Sequence, residues 1–132
     1  MILSRKGDYA LRAVYYLANR PPNKPVQLEE ISEAERIPEK FLSKILQILV
    51  KSSVVKSVRG CGGGYWLSKS PGKITFQEVI EAVEGPITLN RCNSKKRKCD
   101  RVEKCGMHHI WERSQNALIH VLSTSTMADL SQ

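Results

Sequence analysis

At 132 residues, 41% of them apolar, the chain is long enough for one domain with its own core and short enough for an oligomer interface to carry much of its stability. Its 21 Lys and Arg against 13 Asp and Glu leave a net charge of +8, which points to a polyanionic partner; nucleic acid leads over an anionic membrane because no basic amphipathic segment stands alone. No stretch reaches membrane-spanning length and Met1 to Asp8 hold no apolar signal region, so the expectation is a cytoplasmic protein with no membrane partner, whose four cysteines bind metal or do redox chemistry rather than pair.

Residues 4–19 read as a helix that is almost without a polar face from Ala13 to Ala18, hence buried on most sides. Asp8 near its start is accounted for by the favourable placement of a carboxylate at a helix N-terminus. Pro21, Pro22 and Pro25 end the helix. Residues 26–34 predict a short helix with Leu28 and Ile31 inward and Glu29, Glu30 and Glu33 outward. A turn at Glu35-Arg36-Ile37 follows, then Pro38 at the first position of a new helix with Glu39 in its first turn.

Across 38–51 two faces separate. Phe41, Leu42, Ile45, Leu46 and Leu49 form an apolar stripe; Lys40, Ser43, Lys44, Gln47 and Lys51 form a polar one. The pair of helices reads as a helix-turn-helix, and the second has what a major groove asks for: cations for phosphates, a hydroxyl and an amide for base edges. Taken alone, that face reads as a solvated surface rather than a DNA contact. The next stretch tips the balance, because strands at 54–58 and 65–67 flank the glycine turn from Arg59 to Gly64, and a recognition helix followed by a hairpin is a winged helix. No Gly-Lys-Ser/Thr follows those glycines, so a nucleotide-binding loop is excluded. Arg59 at the hairpin edge suits a minor groove.

Thr75 is expected to cap a helix running to about Glu84, with Phe76, Val79, Ile80 and Val83 inward and Glu78 completing a capping box. Gly85-Pro86 ends it. Beyond lies Cys92-Asn-Ser-Lys-Lys-Arg-Lys-Cys99-Asp-Arg-Val-Glu-Lys-Cys105-Gly-Met-His108, too polar and charged to be a core element. Three thiols and an imidazole on one loop indicate a metal centre that closes it. The gaps of six and five residues exceed the two-to-four-residue knuckle of structural zinc, so the loop itself leaves zinc and an iron-sulfur cluster both open. Arg91, Lys95, Lys96, Arg97, Lys98, Arg101 and Lys104 favour the metal-binding thiolate form, or are an ordinary solvated charge run. From Met107, apolar residues at Ile110, Trp111, Leu118, Val121 and Leu122 recur at helical spacing to about Met127, on a helix too exposed for this core to cover. Its expected partner is its own copy, giving an isologous homodimer with two recognition helices about one DNA turn apart.

Ser4-Arg5-Lys6-Gly7-Asp8-Tyr9-Ala10, Ile37-Pro38 with Phe41-Leu42, and Val58-Arg59-Gly60-Cys61-Gly62-Gly63-Gly64-Tyr65 together resemble the IscR-like (Rrf-two) family of iron-sulfur winged-helix transcription regulators. The resemblance covers nearly the whole chain, and Cys105-Gly-Met-His108-His-Ile-Trp111 is similar to the family's ligand-to-helix junction. It implies a homodimer on palindromic double-stranded promoter DNA and raises an iron-sulfur cluster above zinc. It implies Cys92, Cys99 and Cys105 as ligands, with His108, or Asp8 reaching over from the other subunit, as the fourth. Lys40, Ser43 and Lys44 fall at positions that contact base edges and backbone, Arg59 at the minor-groove arginine, and Gly62 in the wing is placed with them. A two-iron two-sulfur cluster is implied; the six residues between Cys92 and Cys99, where the family has five, leave four-iron four-sulfur open. Cys61 stands where the family often has another small residue and reads as a bystander.

The expected fold is mainly α with a small β-hairpin. Residues 1–85 form the winged helix-turn-helix, 86–106 the cysteine-rich loop, and 107–132 the dimerisation helix and tail. The expected function is a non-enzymatic DNA-binding regulator controlled by an iron-sulfur cluster that senses cluster status, iron, nitric oxide or redox state. Its alternative is a winged-helix repressor with zinc or no metal, answering another signal. A cluster carrier docking an acidic partner, or a thiol enzyme pairing Cys105 with His108, are rivals of other classes; no third orienting group can be read for the enzyme.

Overall fold

The computed structural model describes residues 3–95 and 99–130. Helix α1 (Arg5–Ala18) starts at Ser4, whose hydroxyl accepts from the Gly7 amide at 3.2 Å. It buries Gly7, Ala10, Ala13, Val14 and Leu17, a stripe of mostly small residues that lets α3 and α4 come close. Helix α2 (Leu28–Glu35) buries Ile31, and α3 (Glu39–Lys51) buries Leu42, Ile45, Leu46 and Leu49. Pro38 is the cap of α3 rather than its first residue, with an extended ψ of 131°. Strands β1 (Val55–Val58) and β2 (Gly64–Leu67) pair antiparallel with Val55 opposite Leu67 and Val58 opposite Gly64. Val26 adds a bridge to the hairpin through two 2.9 Å bonds with Tyr65, so the wing is tied to the segment that enters α2.

Helix α4 (Phe76–Glu84) is capped by Thr75, whose hydroxyl accepts from the Glu78 amide at 3.1 Å. The Glu78 carboxylate turns outward to Lys69 at 2.7 Å, so the capping box forms in its hydroxyl half. Helix α5 (Gly106–Thr124) follows the cysteine-rich segment and packs on α4, and it contributes no buried residue. Among the described residues the architecture is five α-helices and one two-stranded hairpin, the mainly helical winged fold expected.

Two expectations are corrected. Phe41 is not in the core stripe: its side chain is 55% exposed. Leu42 and Ile45 already fill the interior side of that turn, and Phe41 lies at the edge of the stripe, where no element covers it except the Tyr9 ring, 6.4 Å away and inclined at 72°. The last helix also stops at Thr124, before Met127. The chain then turns back: the Phe76 amide donates to the Ser125 carbonyl and the Met127 amide to the Ile74 carbonyl, both at 3.0 Å, and Met127 is 0% exposed. The core therefore claims a residue that helical periodicity assigned to the exposed helix.

Candidate nucleic-acid interface and metal centre

The turn between α2 and α3 is held from several sides. Arg36 adopts the left-handed conformation at φ 54°, the Ile37 amide donates to the Ser32 carbonyl at 3.0 Å, and the Ser32 hydroxyl donates to the Ile37 carbonyl at 2.6 Å. Arg12 on α1 donates to the Glu35 carbonyl and pairs with the Glu35 carboxylate at 3.6 Å and with Asp8 at 3.3 Å. A left-handed residue without glycine's freedom is unfavourable by itself, so this bonding fixes how α3 leaves α2. Lys40 and Lys44 are exposed on α3 and Ser43 is half-buried between them, within 3.5 Å of the Gln47 amide. Arg59, and Gly62 at φ 79°, are exposed in the wing. Among the described residues no ion pair engages Lys40, Lys44 or Arg59, so no carboxylate of the chain neutralises their charges.

The cysteines lie at the other end of the molecule's middle segment. Gln115 on α5 accepts from the Leu89 amide and donates to the Ile87 carbonyl, both at 2.6 Å, so the chain leading to Cys92 is pinned to α5. Asn90 accepts from the Arg91 amide at 2.7 Å and starts the short turn at Arg91–Asn93. Cys92, Cys99 and His108 line one open cleft of about 1370 Å³, walled on other sides by Glu81, Glu84, Asp100, Glu103 and Glu112. Cys105 caps α5 without using its side chain for the cap. All three thiols are free and half-buried. Among the described residues no three ligating groups are gathered closely enough to hold a metal ion. Asp8 stands apart, on α1 with Arg12 and off the cleft wall. Lys96, Arg97 and Lys98, expected to favour the thiolate forms, lie outside the described residues. Cys61 is exposed on the wing, away from the cleft lining.

Whether these residues suit a metal or a cluster is tested by His108. Among the described residues no hydrogen-bond partner meets its buried Nδ1, a state that costs roughly 1–3 kcal/mol if nothing else meets that nitrogen. An imidazole nitrogen of this kind, lining one cleft with the Cys92 and Cys99 thiols, is a donor set whose chemistry fits the group. Sequence reasoning missed Gln115 and Arg12. Each works through partners more than twenty positions away, and local spacing carries no signal for that.

A family model described as an iron-dependent transcriptional regulator, Rrf2, matches residues 3–132. The chain belongs to the Rrf2 family. This Rrf2 protein is 37% identical over 130 residues to the HTH-type transcriptional regulator IscR of Cronobacter sakazakii, covering 98% of this chain and 80% of that protein. Its fold is similar to that of CymR, the global cysteine regulator of B. subtilis, with TM-score 0.81 and 29% identity over 98% of this chain and 95% of the other. It is also similar to T. potens IscR, with TM-score 0.78 and 29% identity over 98% and 85%. This Rrf2 protein is therefore a winged-helix, DNA-binding transcription regulator and not an enzyme. No helix among its described residues is long and apolar enough to cross a membrane.

Proposed function

We propose that this Rrf2 protein is a cytoplasmic homodimer whose grip on promoter DNA is set by an iron-sulfur cluster held by Cys92, Cys99 and Cys105 with His108, or with Asp8 from the other subunit, as fourth ligand. The observation that carries this reading is the buried Nδ1 of His108, without a partner among the described residues, in a cleft shared with Cys92 and Cys99, in a chain whose family is described as iron-dependent. A cluster bound there supplies a centre that oxidants or nitric oxide attack. The rest is done by the chain. Convergence of the three thiols would order the segment between α4 and α5; Gln115 would pass that order to α5, and α4 would pass it to α1 and the helix-turn-helix. Lys40, Ser43 and Lys44 then meet the major groove, and Arg59 and Gly62 the minor groove. On α5, Met107 is 63% and Val121 57% exposed, with Ile110 and Trp111 between them. A stripe of this kind supports pairing with a second copy.

Anaerobic supply of iron and sulfide tests the cluster: wild type should gain visible sulfur-to-iron absorption, and Cys99→Ala should not. Uptake of zinc alone, with operator affinity unchanged by that substitution, would leave the second reading, a repressor answering another signal. The likeness to CymR, a cysteine regulator with the same fold, favours that alternative over any other. Trp111→Glu should halve the mass measured by light scattering; a persisting dimer would move the interface off α5.

A further inference from the structure

We propose that Phe41 reads the 5-methyl group of thymine in the operator, as a specificity-determining residue additional to the polar ones above. The inference rests on α3 being the helix that enters the major groove. Phe41 is the third residue of α3, and in helix-turn-helix docking the first turns of the second helix reach the base edges. It neighbours Lys44 one turn further on, so the ring and a phosphate-seeking cation share one surface. Phe41 is an exposed residue, while Leu42 directly after it is fully buried. The ring is not loose. It forms an edge-to-face pair with Tyr9, and the Arg12 guanidinium lies 5.6 Å from the Tyr9 ring centre, tied in turn to Asp8 and the Glu35 carbonyl.

An exposed phenyl ring on a cationic face has few partners to match it. Lys40 precedes it and Lys44 follows one turn on, both exposed, so the ring stands between two cations. A phenyl group neither donates nor accepts, so it is blind to the hydrogen-bonding pattern of the bases. The one apolar feature a major groove offers is the thymine methyl, and contact between that methyl and a phenylalanine is an established mode of base discrimination. The Tyr9 edge contact supplies what such a reader needs, a ring already held in place before DNA arrives.

The test uses full-length wild-type protein and the duplex it selects from a random pool, with each thymine replaced in turn by deoxyuridine, which removes the methyl and leaves the base pair intact. Wild type should lose about fourfold in affinity at one thymine position per half-site, the factor expected for exposing one methyl-sized group. Phe41→Ala should bind without that sensitivity while keeping the salt dependence of wild type, and Phe41→Leu should keep part of it. Wild type indifferent to every deoxyuridine, or Phe41→Ala with the wild-type profile, overturns the inference. Failure of the underlying reading shows differently: Lys40→Ala and Lys44→Ala would then leave DNA affinity untouched, and the methyl pattern, if present, would map to another element.

Discussion

Gly7 is the place where α1 meets the far end of α4. The Glu84 carboxylate accepts from both the Ser4 amide, at 2.8 Å, and the Ser4 hydroxyl, and a methyl group added to Gly7 would lie 2.6 Å from Glu84 Oε1 and 2.7 Å from Leu3 Cδ1. Within a helix, Gly→Ala ordinarily gains up to about 1 kcal/mol. Here the sign should reverse: Gly7→Ala is expected to cost roughly 1–2 kcal/mol, because moving Glu84 aside breaks its bonds to Ser4. Urea unfolding checks this through a lowered midpoint at unchanged slope. A raised midpoint would mean that Glu84 swings away freely. A helix beginning at Ser4 is legible in the sequence from the apolar residues that follow, although Ser4 itself turns out to be its cap. The link of Ser4 to Glu84, eighty positions on, is not.

At the scale of elements, residue pattern located α1 to α4 and the hairpin to within a residue or two and overran the end of α5 by three, because burial on one face imposes its spacing wherever a helix lies against a core. It failed at the edges of a stripe. Phe41 and Leu42 are equally apolar and adjacent, and only the position of neighbouring helices decides that one is covered and the other is not. The exposure of Lys40 and Lys44 on α3 was legible, since long cations on the outer face of a helix have no competing use inside. On the proposed assignment, Lys44→Ala and Arg59→Ala should each make the dependence of log affinity on log salt shallower by about one, with Lys44→Ala weakening all duplexes alike. Ser43→Ala should leave that slope alone and alter sequence preference. Electrophoretic mobility shifts across a salt series separate the two; an unchanged slope in both lysine and arginine variants would take these residues off the phosphates.

For the whole molecule, the decisive feature is that α5 is anchored at its middle and just past its C-terminal end, while Met107, Ile110 and Trp111 in its first turns lie exposed. Gln115 fastens it to the segment before Cys92, and the turn after Thr124 carries Met127 into the core beside Ile74. Met127→Ala should therefore cost about 2–5 kcal/mol, as a buried side chain of that size does. It should lower the single unfolding transition of the whole protein. Calorimetry showing a separate early transition for α5 would instead mean that the C-terminal turn is only loosely held.

The amino-acid order by itself determined the local part of this protein: which stretches coil, where they are capped, which loop carries soft ligands, and which surfaces are cationic. These follow from periodicity and residue chemistry over a few neighbouring positions. Tertiary structure alone decided that Phe41 faces outward, that Met127 belongs to the core, that Arg12 braces the turn before α3 and that His108 Nδ1 is buried without a partner among the described residues. Each of those depends on which distant element arrives at a given face, and packing sets that in three dimensions, where sequence distance has no bearing.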